Sequence, residues 1–475
     1  MSLISKNLIN GEWVDATNGA TLAVKNPATG EVIGHVPDVS HYRVVEAISA
    51  AHAAQPLWAG MTPYARADIL LRWGALIDQH NEELAQIMVA ECGKPITEAR
   101  AEVKSTSIAW FAEEAKRNYG RIIPANVEGR QIQLIKQPVG VSGLITPWNF
   151  PAAMITRKLG AALAAGCAVV LKPDHRTPFV ALAMAKMAQE AGLPKGVLNV
   201  VTGDAAMIGE TLCTHPSVRK ISFTGSTRVG RILLAQCAPQ VKKLSLELGG
   251  NAPFIVFDSV SVDDAVREAM TAKLRNGGQS CVAANRFYIH DALHEAFVDK
   301  LTQEVRKVKQ GDGRGEDIRV GTLIDKKAAT KVDELVQDAV KNGAHCVLGG
   351  KISALGPCFY EPTILTGVTS EMHISREEIF GPVFAIQTFA DEAEALRHAN
   401  DTDMGLASYF MTRDLAQSHR VAAALEYGMV GVNTGFMSFA ATPFGGIKQS
   451  GQGRESGAEG LDAFLEIKTV TINNT

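Results

Sequence analysis

The chain has 475 residues, of which 46% are hydrophobic and 20% are charged. This length predicts two or three domains with sizeable cores. The net charge of −3 gives no electrostatic reason to expect nucleic acid or an anionic membrane as a partner. The seven cysteines are an odd number without a CxxC pair, which disfavours a disulfide framework or metal site and is typical of a reducing cytoplasm. The polar start of the chain has no apolar segment typical of signal peptides.

In chain order, a strand-like start around residues 8–13 is followed by residues 131–137, which alternate polar and apolar side chains like an edge strand. A regular series comes next, with strands at 141–145, 168–171, 197–201, 220–223 and 243–247 and helices at 152–165, 179–191, 205–212 and 227–236. Short apolar strands that alternate with helices predict βαβ units in a parallel sheet with helices on both faces. The series therefore predicts a doubly wound nucleotide-binding architecture.

A second alternating series predicts another α/β domain from about residue 250. Its strands are expected at 254–257, 286–289, 383–389, 407–411 and 429–432, and its helices at 262–274, 294–308, 331–342, 391–400 and 415–426. Residues 466–473 at the C-terminus alternate as residues 131–137 do. Because long strand edges are normally covered, we expect both of these strands to pair with another subunit, the alternative being that they complete the chain's own sheet.

The expected fold class is therefore α/β with three parts. Residues 1–121 and 139–249 form a Rossmann-like dinucleotide-binding domain, and residues 250–449 form an α/β catalytic domain. Residues 122–138 and 450–475 form a small β oligomerisation element.

Three segments carry candidate catalytic residues. Cys281 ends the segment Gly-Gly-Gln-Ser-Cys, Glu247 precedes a Leu-Gly-Gly turn, and Asn149 lies in Thr-Pro-Trp-Asn-Phe-Pro. A cysteine nucleophile and a carboxylate base suit chemistry that forms and then hydrolyses a thioester. A lone cysteine is more often inert packing, and an isolated asparagine before Phe-Pro is more often a turn residue, so the ordered trio is the informative feature.

The trio resembles the motifs of the aldehyde dehydrogenase superfamily. The resemblance implies that Cys281 attacks an aldehyde, that a hydride then passes to a nicotinamide, and that Glu247 activates water to hydrolyse the thioester. Asn149 and the N–H of Cys281 would hold the oxyanion. The presence of Glu247 favours a free acid as the product, and Lys158 is expected to orient Glu247 or line the site. The thiolate needs a lowered pKa, from backbone dipoles or the cationic nicotinamide.

No GxGxxG segment joins a strand to a helix in this chain. Gly225 and Ser226 instead precede a predicted helix, whose N-terminus attracts phosphate, although Ser226 could be only a helix cap. In the resembled family this turn binds the pyrophosphate, the residue matching Glu378 binds the nicotinamide ribose, and the residue matching Phe380 lies against the ring. The same resemblance assigns cofactor contacts to Thr146, Pro147 and Trp148.

The segment after the second strand of the first series bears on the choice of cofactor. In the family Lys172 contacts the adenosine ribose, and many NAD-preferring members carry a ribose-binding Glu where this chain has His175. Loss of that carboxylate removes repulsion against a 2′-phosphate, and Lys172, His175 and Arg176 are candidate positive charges. Asp174 acts against this, and a simple solvated loop is the alternative for His175 and Arg176. We therefore expect NADP rather than NAD, with dual use open.

The most specific resemblance is to succinate-semialdehyde dehydrogenases, and it extends over nearly the whole chain. In that group two arginines and a serine bind the substrate carboxylate, and they match Arg157, Arg275 and Ser438. Arginine binds carboxylates through paired, charge-assisted hydrogen bonds. Ordinary intramolecular salt bridges are the alternative for both arginines. Around Ser438 the chain departs from the group through apolar residues, of which Phe436 and Phe439 are the largest.

This departure leaves glutarate semialdehyde, or a general aliphatic or aromatic aldehyde, as alternative substrates. A catalytically silent binding protein and a thiol protease are the competing classes, and the intact trio argues against the first. The expected protein is a cytoplasmic homodimer or homotetramer that acts on a small aldehyde, without nucleic acid or membrane partners.

Overall fold

A computed structural model of the chain describes residues 3–473. The strands are β1 (Asn7–Ile9), β2 (Glu12–Val14), β3 (Thr21–Lys25), β4 (Val32–Pro37), β5 (Arg121–Ile123), β6 (Arg130–Pro138), β7 (Ser142–Ile145), β8 (Val169–Lys172), β9 (Leu198–Val200), β10 (Lys220–Thr224), β11 (Lys243–Glu247), β12 (Ala252–Val256), β13 (Ala284–His290), β14 (His345–Leu348), β15 (Thr363–Thr366), β16 (Val383–Phe389), β17 (Met404–Gly405), β18 (Ala407–Met411), β19 (Met429–Val432), β20 (Ile447–Lys448), β21 (Gly451–Gln452) and β22 (Leu465–Asn473).

The helices are α1 (His41–Gly60), α2 (Pro63–Gln79), α3 (Asn81–Cys92), α4 (Ile96–Lys104), α5 (Ile108–Ala115), α6 (Pro151–Ala165), α7 (Pro178–Glu190), α8 (Ala205–Thr214), α9 (Thr227–Cys237), α10 (Val262–Leu274), α11 (His294–Val305), α12 (Lys326–Lys341), α13 (His373–Arg376), α14 (Glu392–Asn400), α15 (Leu415–Ala424) and α16 (Gly457–Asp462).

The first sheet has the strand order β2-β1-β9-β8-β7-β10-β11-β21. Its central strands β7 to β11 are parallel, whereas β1, β2 and β21 join the edges in antiparallel orientation. The chain runs outward from β7 through β8 to β9 and then returns to the other side through β10 and β11. This order confirms the predicted doubly wound fold. The order reverses between β7 and β10, and ligands bind beside the carboxyl ends of strands at such a point.

Helices cover both faces of this sheet because its strands are apolar on both sides. In β7, Leu144 packs into one hydrophobic cluster together with residues of α6 and α7, whereas the adjacent Ile145 packs into another together with residues of α1, α8 and α9. Successive side chains of a strand point to opposite faces. Helix α6 is buried along its length, begins with Pro151 in its first turn and ends at the left-handed Gly166. The helix therefore lies between the sheet and the other helices.

The second sheet has the strand order β14-β15-β16-β13-β12-β18-β19 and is parallel except for β14. The sequence correctly predicted its strands β12, β13, β16, β18 and β19 and missed β14 and β15. A short 3-10 helix, Arg275–Gly278, and the loop that follows it connect α10 to β13. Cys281 lies in this connection and therefore at the amino end of β13.

The third sheet has the order β22-β6-β5. We expected β6 and β22 to pair with another subunit, but they pair with each other, from Leu465 opposite Pro138 to Asn473 opposite Arg130. Strand β6 is paired on both sides within the chain, which agrees with the alternative that it completes the chain's own sheet, whereas β22 lies at the edge of this sheet among residues 3–473. Pairing of that edge with another subunit stays a prediction. Several large apolar side chains of this sheet remain exposed, namely Ile122, Ile123, Ile467 and Ile472.

Two features lie near the expected domain limits. Strand β21 pairs with β11 in the first sheet, and Leu461 and Phe464 join the hydrophobic core around α6 and α7, although the sequence assigned residues from 450 onward to the oligomerisation element. The helices between residues 3 and 473 all lack the length or the apolar composition that is required to span a bilayer.

Candidate active site

The loop before Cys281 has an unusual backbone. Asn276, Gly277 and Gly278 all adopt left-handed conformations, with φ of 50°, 61° and 80°. A Cβ at Gly278 would lie 2.2 Å from the backbone oxygen of Gly381, so this position requires glycine. The Gln279 side chain donates to Thr322 O at 3.1 Å and accepts from Ile324 N at 2.8 Å. The loop is therefore held rigidly, with the Cys281 side chain partly exposed.

Asn149 lies directly against this loop. Its Nδ2 donates to the backbone oxygen of Gln279 at 3.0 Å. Its own backbone oxygen accepts from Asn276 Nδ2 at 2.8 Å and from Lys94 Nζ at 2.8 Å. An amide group has two N–H donors, so one remains for a ligand. The Asn149 side chain is thus fixed close to Cys281, as an oxyanion donor would need to be.

Glu247 ends β11 and is 1% exposed. Neither carboxylate oxygen has a hydrogen-bond partner among residues 3–473. Burial raises the pKa of Glu247 well above its ordinary value, and the nearby Glu455 raises it further, while Lys158 and Arg157 act in the opposite direction. This environment favours the protonated form of the carboxyl group, and the nearby positive charges favour the carboxylate.

Lys158 does not bind Glu247 directly. Its Nζ contacts Glu455 Oε1 and donates to Ser222 Oγ at 3.1 Å. The sequence led us to expect that Lys158 orients Glu247 or lines the site. A direct orienting contact is not formed among residues 3–473, because the buried ammonium group is paired with Glu455. Lys158 influences Glu247 through its positive charge and through Glu455.

The thiol of Cys281 is not activated by the protein alone. Burial raises the pKa of Cys281 to about 12, and the carboxyl groups of Glu378 and Glu247 raise it further, whereas Arg157 lowers it. Of the two sources proposed from the sequence for a lowered pKa, the local backbone lowers the pKa less than burial raises it. A positive charge brought by a ligand would lower the pKa further.

Two cavities meet at Cys281. The larger, of about 370 Å³, is bordered by Phe150, Arg157, Arg275, Ser438 and Phe444 among others. The smaller, of about 280 Å³, is bordered by Trp148, Gly225, Ser226, Glu378 and Phe380 among others. Met154 and Cys281 border both cavities. The arrangement offers one compartment on either side of the nucleophile.

The three residues proposed to bind a substrate carboxylate lie together in the larger cavity. Arg157 Nη2 donates to Ser438 Oγ at 3.1 Å, while Arg157 Nε and Nη1 are buried without a partner among residues 3–473. The Arg157 guanidinium lies 4.3 Å from the centre of the Phe444 ring. Within the described part of the chain, neither Arg157 nor Arg275 forms an ion pair with a carboxylate. Neither arginine therefore forms the intramolecular salt bridge that was the alternative to carboxylate binding.

The smaller cavity lies at the carboxyl ends of β7 and β10. Ser226 caps α9 by accepting from Val229 N at 3.4 Å. The hydroxyl groups of Thr146 and Thr224 are buried and have no partner among residues 3–473. Orphaned hydroxyls beside a free helix N-terminus fit a phosphate-containing ligand. Of the sequence-predicted residues, Pro147, Trp148 and Gly225 also border this cleft.

The other wall of the cleft comes from the second domain. Glu378 Oε1 accepts from Gly250 N at 3.1 Å, and burial raises the pKa of Glu378 to about 7. Phe380 has a left-handed φ of 55°, which is rare for a bulky side chain, and its ring stands edge-on to Trp148 at 5.7 Å between ring centres. Strain of this kind concentrates at binding sites.

The segment around His175 departs from the sequence-based expectation. Arg176 donates to both oxygens of Asp174, at 2.9 and 3.0 Å, and to Asp325 Oδ2 at 3.2 Å. Its charge is therefore already neutralised by two carboxylates, which the sequence could not show because Asp325 lies far along the chain. His175 is exposed, and Lys172 Nζ donates to Pro173 O at 3.3 Å. Lys172 and His175 are the basic groups left for a ligand, although burial lowers the pKa of His175 and so disfavours its charged form.

Sequence reasoning missed two lysines near the cleft. Lys331 borders it, and its Nζ donates to the backbone oxygen of Glu378 at 2.9 Å. Lys273 is 1% exposed, and its Nζ has no partner among residues 3–473. The only sequence signal for Lys331 is its place near the start of a predicted helix. Nothing in the local pattern marks Lys273, since it closes an ordinary amphipathic helix.

Comparison with known proteins identifies the family. Residues 13–470 match the model of the aldehyde dehydrogenase family. The chain belongs to this family.

Two characterised relatives match almost the whole length of this aldehyde dehydrogenase. It is 53% identical to the glutarate-semialdehyde dehydrogenase of Pseudomonas aeruginosa, over 98% of this chain and 96% of the relative. It is 51% identical to the NADP(+) succinate-semialdehyde dehydrogenase GabD of Escherichia coli K12, and the match covers 98% of this chain and 97% of the relative. The crystal structure of succinate-semialdehyde dehydrogenase from Burkholderia pseudomallei superposes with a TM-score of 0.98 at 50% identity, and the match covers 99% of this chain and 98% of that one.

Proposed function

We propose that the protein oxidises an aldehyde with a carboxylate at its far end, succinate semialdehyde in particular, to the dicarboxylic acid. The observation that supports this most directly is the buried Arg157 guanidinium. Two of its nitrogens have no partner among residues 3–473, and it borders the cavity that reaches Cys281. A buried cation without a counter-ion is costly, and a substrate carboxylate removes that cost. The two semialdehyde dehydrogenase relatives agree with this substrate class.

In the proposed reaction the Cys281 sulfur adds to the aldehyde carbon, and the carbonyl oxygen becomes an oxyanion. The free N–H of Asn149 Nδ2 and the backbone N–H of Cys281 stabilise that oxyanion. A nicotinamide dinucleotide held beside Trp148, Glu378 and Phe380 would supply the acceptor for the hydride. Cys281 then holds the acyl group as a thioester, while Arg157, Arg275 and Ser438 hold the distant carboxylate.

Glu247 is the base that we propose for hydrolysis. In its carboxylate form Glu247 takes a proton from water as the water adds to the thioester carbon. The C–S bond then breaks, the sulfur leaves as a thiolate, and the acid is released. Glu455 and Lys158 form a buried charged pair behind Glu247, and the two groups shift its pKa in opposite directions. Their balance sets the pH at which Glu247 loses its proton.

A dinucleotide fits the cleft on the other side of Cys281. The free N-terminus of α9 and the orphaned hydroxyls of Thr146 and Thr224 suit its phosphates, while Glu378 offers a carboxylate to a ribose. We propose NADP as the preferred cofactor and NAD as the alternative. Arg176 binds the Asp174 carboxylate and so reduces its repulsion of a 2′-phosphate, and Lys172 and His175 are available to bind that phosphate.

Glutarate semialdehyde is the second candidate substrate. The cavity of about 370 Å³ is larger than a four-carbon semialdehyde requires, and Phe439, at its edge, is 57% exposed. The first of the two relatives acts on this longer semialdehyde by its name. A general aldehyde dehydrogenase remains the alternative if the arginines prove unimportant for catalysis.

We also propose that the protein forms a homo-oligomer through the β22-β6-β5 sheet. Ile123 and Ile467 lie on one face of this sheet, since they pair with Ile132 and Lys136 of β6, and successive side chains of a strand alternate between faces. Their side chains are 39% and 64% exposed, and exposed apolar side chains that share a face are of the kind that marks an interface. Light scattering after size-exclusion chromatography separates a monomer from a dimer or tetramer.

All seven cysteines are free thiols, in keeping with a reducing, cytoplasmic location.

The test of the function is a matrix of steady-state rates measured by the absorbance of the reduced cofactor. Succinate semialdehyde, glutarate semialdehyde and butanal are each paired with NADP and with NAD. We expect kcat/KM for a semialdehyde to exceed that for butanal by about 100-fold, the worth of a charge-assisted carboxylate site. Similar values for butanal and both semialdehydes would contradict the proposal. A preference for NAD would overturn only the choice of cofactor.

A further inference from the structure

The second arginine of the cavity, Arg275, is held by aromatic rings. Its guanidinium carbon lies 5.0 Å from the centre of the Phe150 ring and 4.9 Å from the centre of the Phe436 ring. Both distances are within the range of cation–π attraction. Ring faces bind the guanidinium through its π-surface and leave the N–H groups at its edge free.

A carboxylate that could compete for Arg275 lies in the same cavity. Glu98 borders it, and Glu98 Oε2 accepts from Asn276 N at 2.6 Å. Its other oxygen, Oε1, is buried without a partner among residues 3–473. Burial raises the pKa of Glu98, and Arg275 is one of the cations that act against this rise, so the two side chains interact electrostatically. They form no ion pair in the structure.

A second aromatic ring, that of Phe439, packs against the Phe436 ring. The two rings are perpendicular, with the ring centres 5.2 Å apart, an arrangement that aromatic pairs favour. Phe436 lies in the apolar stretch where the sequence departs from the succinate-semialdehyde dehydrogenase group. The departure therefore adds a π-surface beside Arg275 and not only volume.

We infer that Phe436 is a positioning residue that, together with Phe150, holds Arg275 away from Glu98 and keeps its N–H groups available to the substrate carboxylate. This inference rests on the proposed function. An arginine paired with Glu98 would have to break that ion pair before it could bind a substrate, which weakens binding by the strength of the pair. An arginine held by rings has no such bond to break.

The central experiment replaces the ring without removing its bulk. In Phe436→Leu we expect KM for succinate semialdehyde to rise about 5- to 10-fold, the range of a desolvated cation–π contact, while kcat stays within about twofold of the parent value. KM for butanal should not change, because butanal has no carboxylate to reach Arg275. Phe436→Tyr keeps the ring face and should keep KM.

A double variant tests the role of Glu98. Glu98→Gln keeps an oxygen that can accept from Asn276 N but removes the charge that attracts Arg275. In the Glu98→Gln background, Phe436→Leu should therefore raise KM for succinate semialdehyde less than twofold, by loss of the competing pair. The melting temperature of each variant shows whether the loop remains folded.

Three results would overturn the inference. The first is an equal rise of KM for butanal, which would mean that Phe436 only shapes the cavity. The second is a rise that persists in full in the Glu98→Gln background, and the third is the absence of any rise in Phe436→Leu. Arg275→Met separates these failures from failure of the proposed function. If Arg275→Met raises KM only for the semialdehyde, the carboxylate site stands and only the role of Phe436 falls. If it affects both aldehydes equally or neither, the proposed function falls as well.

Discussion

Arg176 donates to Asp325, with 3.2 Å between Nη1 and Oδ2, and its guanidinium lies 5.2 Å from the ring centre of Trp148, which borders the cleft. Asp325 also caps α12 by accepting from Ala328 N at 2.8 Å. The contact thus joins the loop after β8 in the first domain to the first turn of a helix in the second. Arg176 is bound at its other side by Asp174. Of the three basic residues that the sequence suggested for binding a 2′-phosphate, Arg176 is therefore already paired with carboxylates of the protein.

Removing the charge of Asp174 should strengthen NADP binding. In Asp174→Asn, Arg176 loses a charged partner and a 2′-phosphate meets one negative charge fewer. We expect KM for NADP to fall about 5- to 10-fold, a change typical of one charge-assisted contact, while KM for NAD changes less than twofold. Asp258→Asn, at an exposed position after β12, makes the same change in net charge and should leave both values unaltered. Parallel falls for both cofactors would show that the phosphate does not sense Asp174.

Arg157→Met should impair semialdehyde oxidation selectively. The substitution keeps an apolar side chain of similar length and removes the donors beside Ser438. We expect kcat/KM for succinate semialdehyde to fall about 100-fold, since a charge-assisted hydrogen bond contributes roughly 1.5–3 kcal/mol. The rate with butanal should change less than threefold. Equal losses for the two aldehydes would indicate that Arg157 supports the fold of the cavity instead.

Glu247→Gln should block the second half of the reaction. We expect hydride transfer to persist, seen as a rapid burst of reduced cofactor equal to the number of sites, followed by turnover slowed about 100- to 10,000-fold, the usual worth of a general base. Rapid-mixing absorbance measurements report both phases. Slow kinetics without a burst would place Glu247 before hydride transfer.

The same variant should show a pH-dependent gain in stability. The folded-state pKa of Glu247 lies above its ordinary value of 4.5, so the folded protein holds a proton that the unfolded chain releases. The parent protein is therefore progressively destabilised as pH rises from 4.5 through the raised pKa. Glutamine does not ionise. We expect the excess in melting temperature of Glu247→Gln over the parent to be larger at pH 8 than at pH 5, and a constant difference would contradict the raised pKa.

Replacing the buried amine of Lys273 by Met should also stabilise the protein, but here the gain in stability should decrease as pH rises. Burial lowers the pKa of Lys273 to about 7, from an ordinary 10.5, against the attraction of Glu378. The unfolded chain thus binds a proton up to about pH 10.5 that the folded protein binds only below about 7. The destabilisation of the parent protein by the buried amine is fully present below pH 7 and is lost as pH rises through 10.5. We expect thermal unfolding to show a gain for Lys273→Met that is larger at pH 6.5 than at pH 9.5.

Local sequence patterns predicted the parts of the fold that local physics determines. The strands β16, β18 and β19 and the helix α10 begin and end where the apolar periodicity begins and ends. Helices α1 to α5 were not predicted, and α1 carries Pro56 in its interior, which by local rules ends a helix. Strand β14 was missed because it is mostly exposed and so lacks an apolar pattern.

The motifs located the nucleophile, but partners distant in sequence decide the electrostatics of the site. The neutralisation of Arg176 by Asp325, the pairing of Lys158 with Glu455 and the π-contacts of Arg275 all depend on tertiary packing. No periodicity or spacing in the chain encodes which charges meet. Sequence reasoning therefore identified the nucleophile and several of the residues that border the two cavities, and it did not show that Arg176 and Lys158 already have charged partners.

The two cavities beside Cys281 have kinetic consequences. Among the described residues, only Met154 and Cys281 border both cavities. A compound that binds only in the larger cavity, beside Arg157 and Arg275, would therefore compete with the aldehyde for binding and not with the dinucleotide. An electrophile that carries a carboxylate could then be delivered to the sulfur while the cofactor stays in place. Inactivation by such a reagent should be faster when the cofactor is bound, since the positive nicotinamide favours the thiolate.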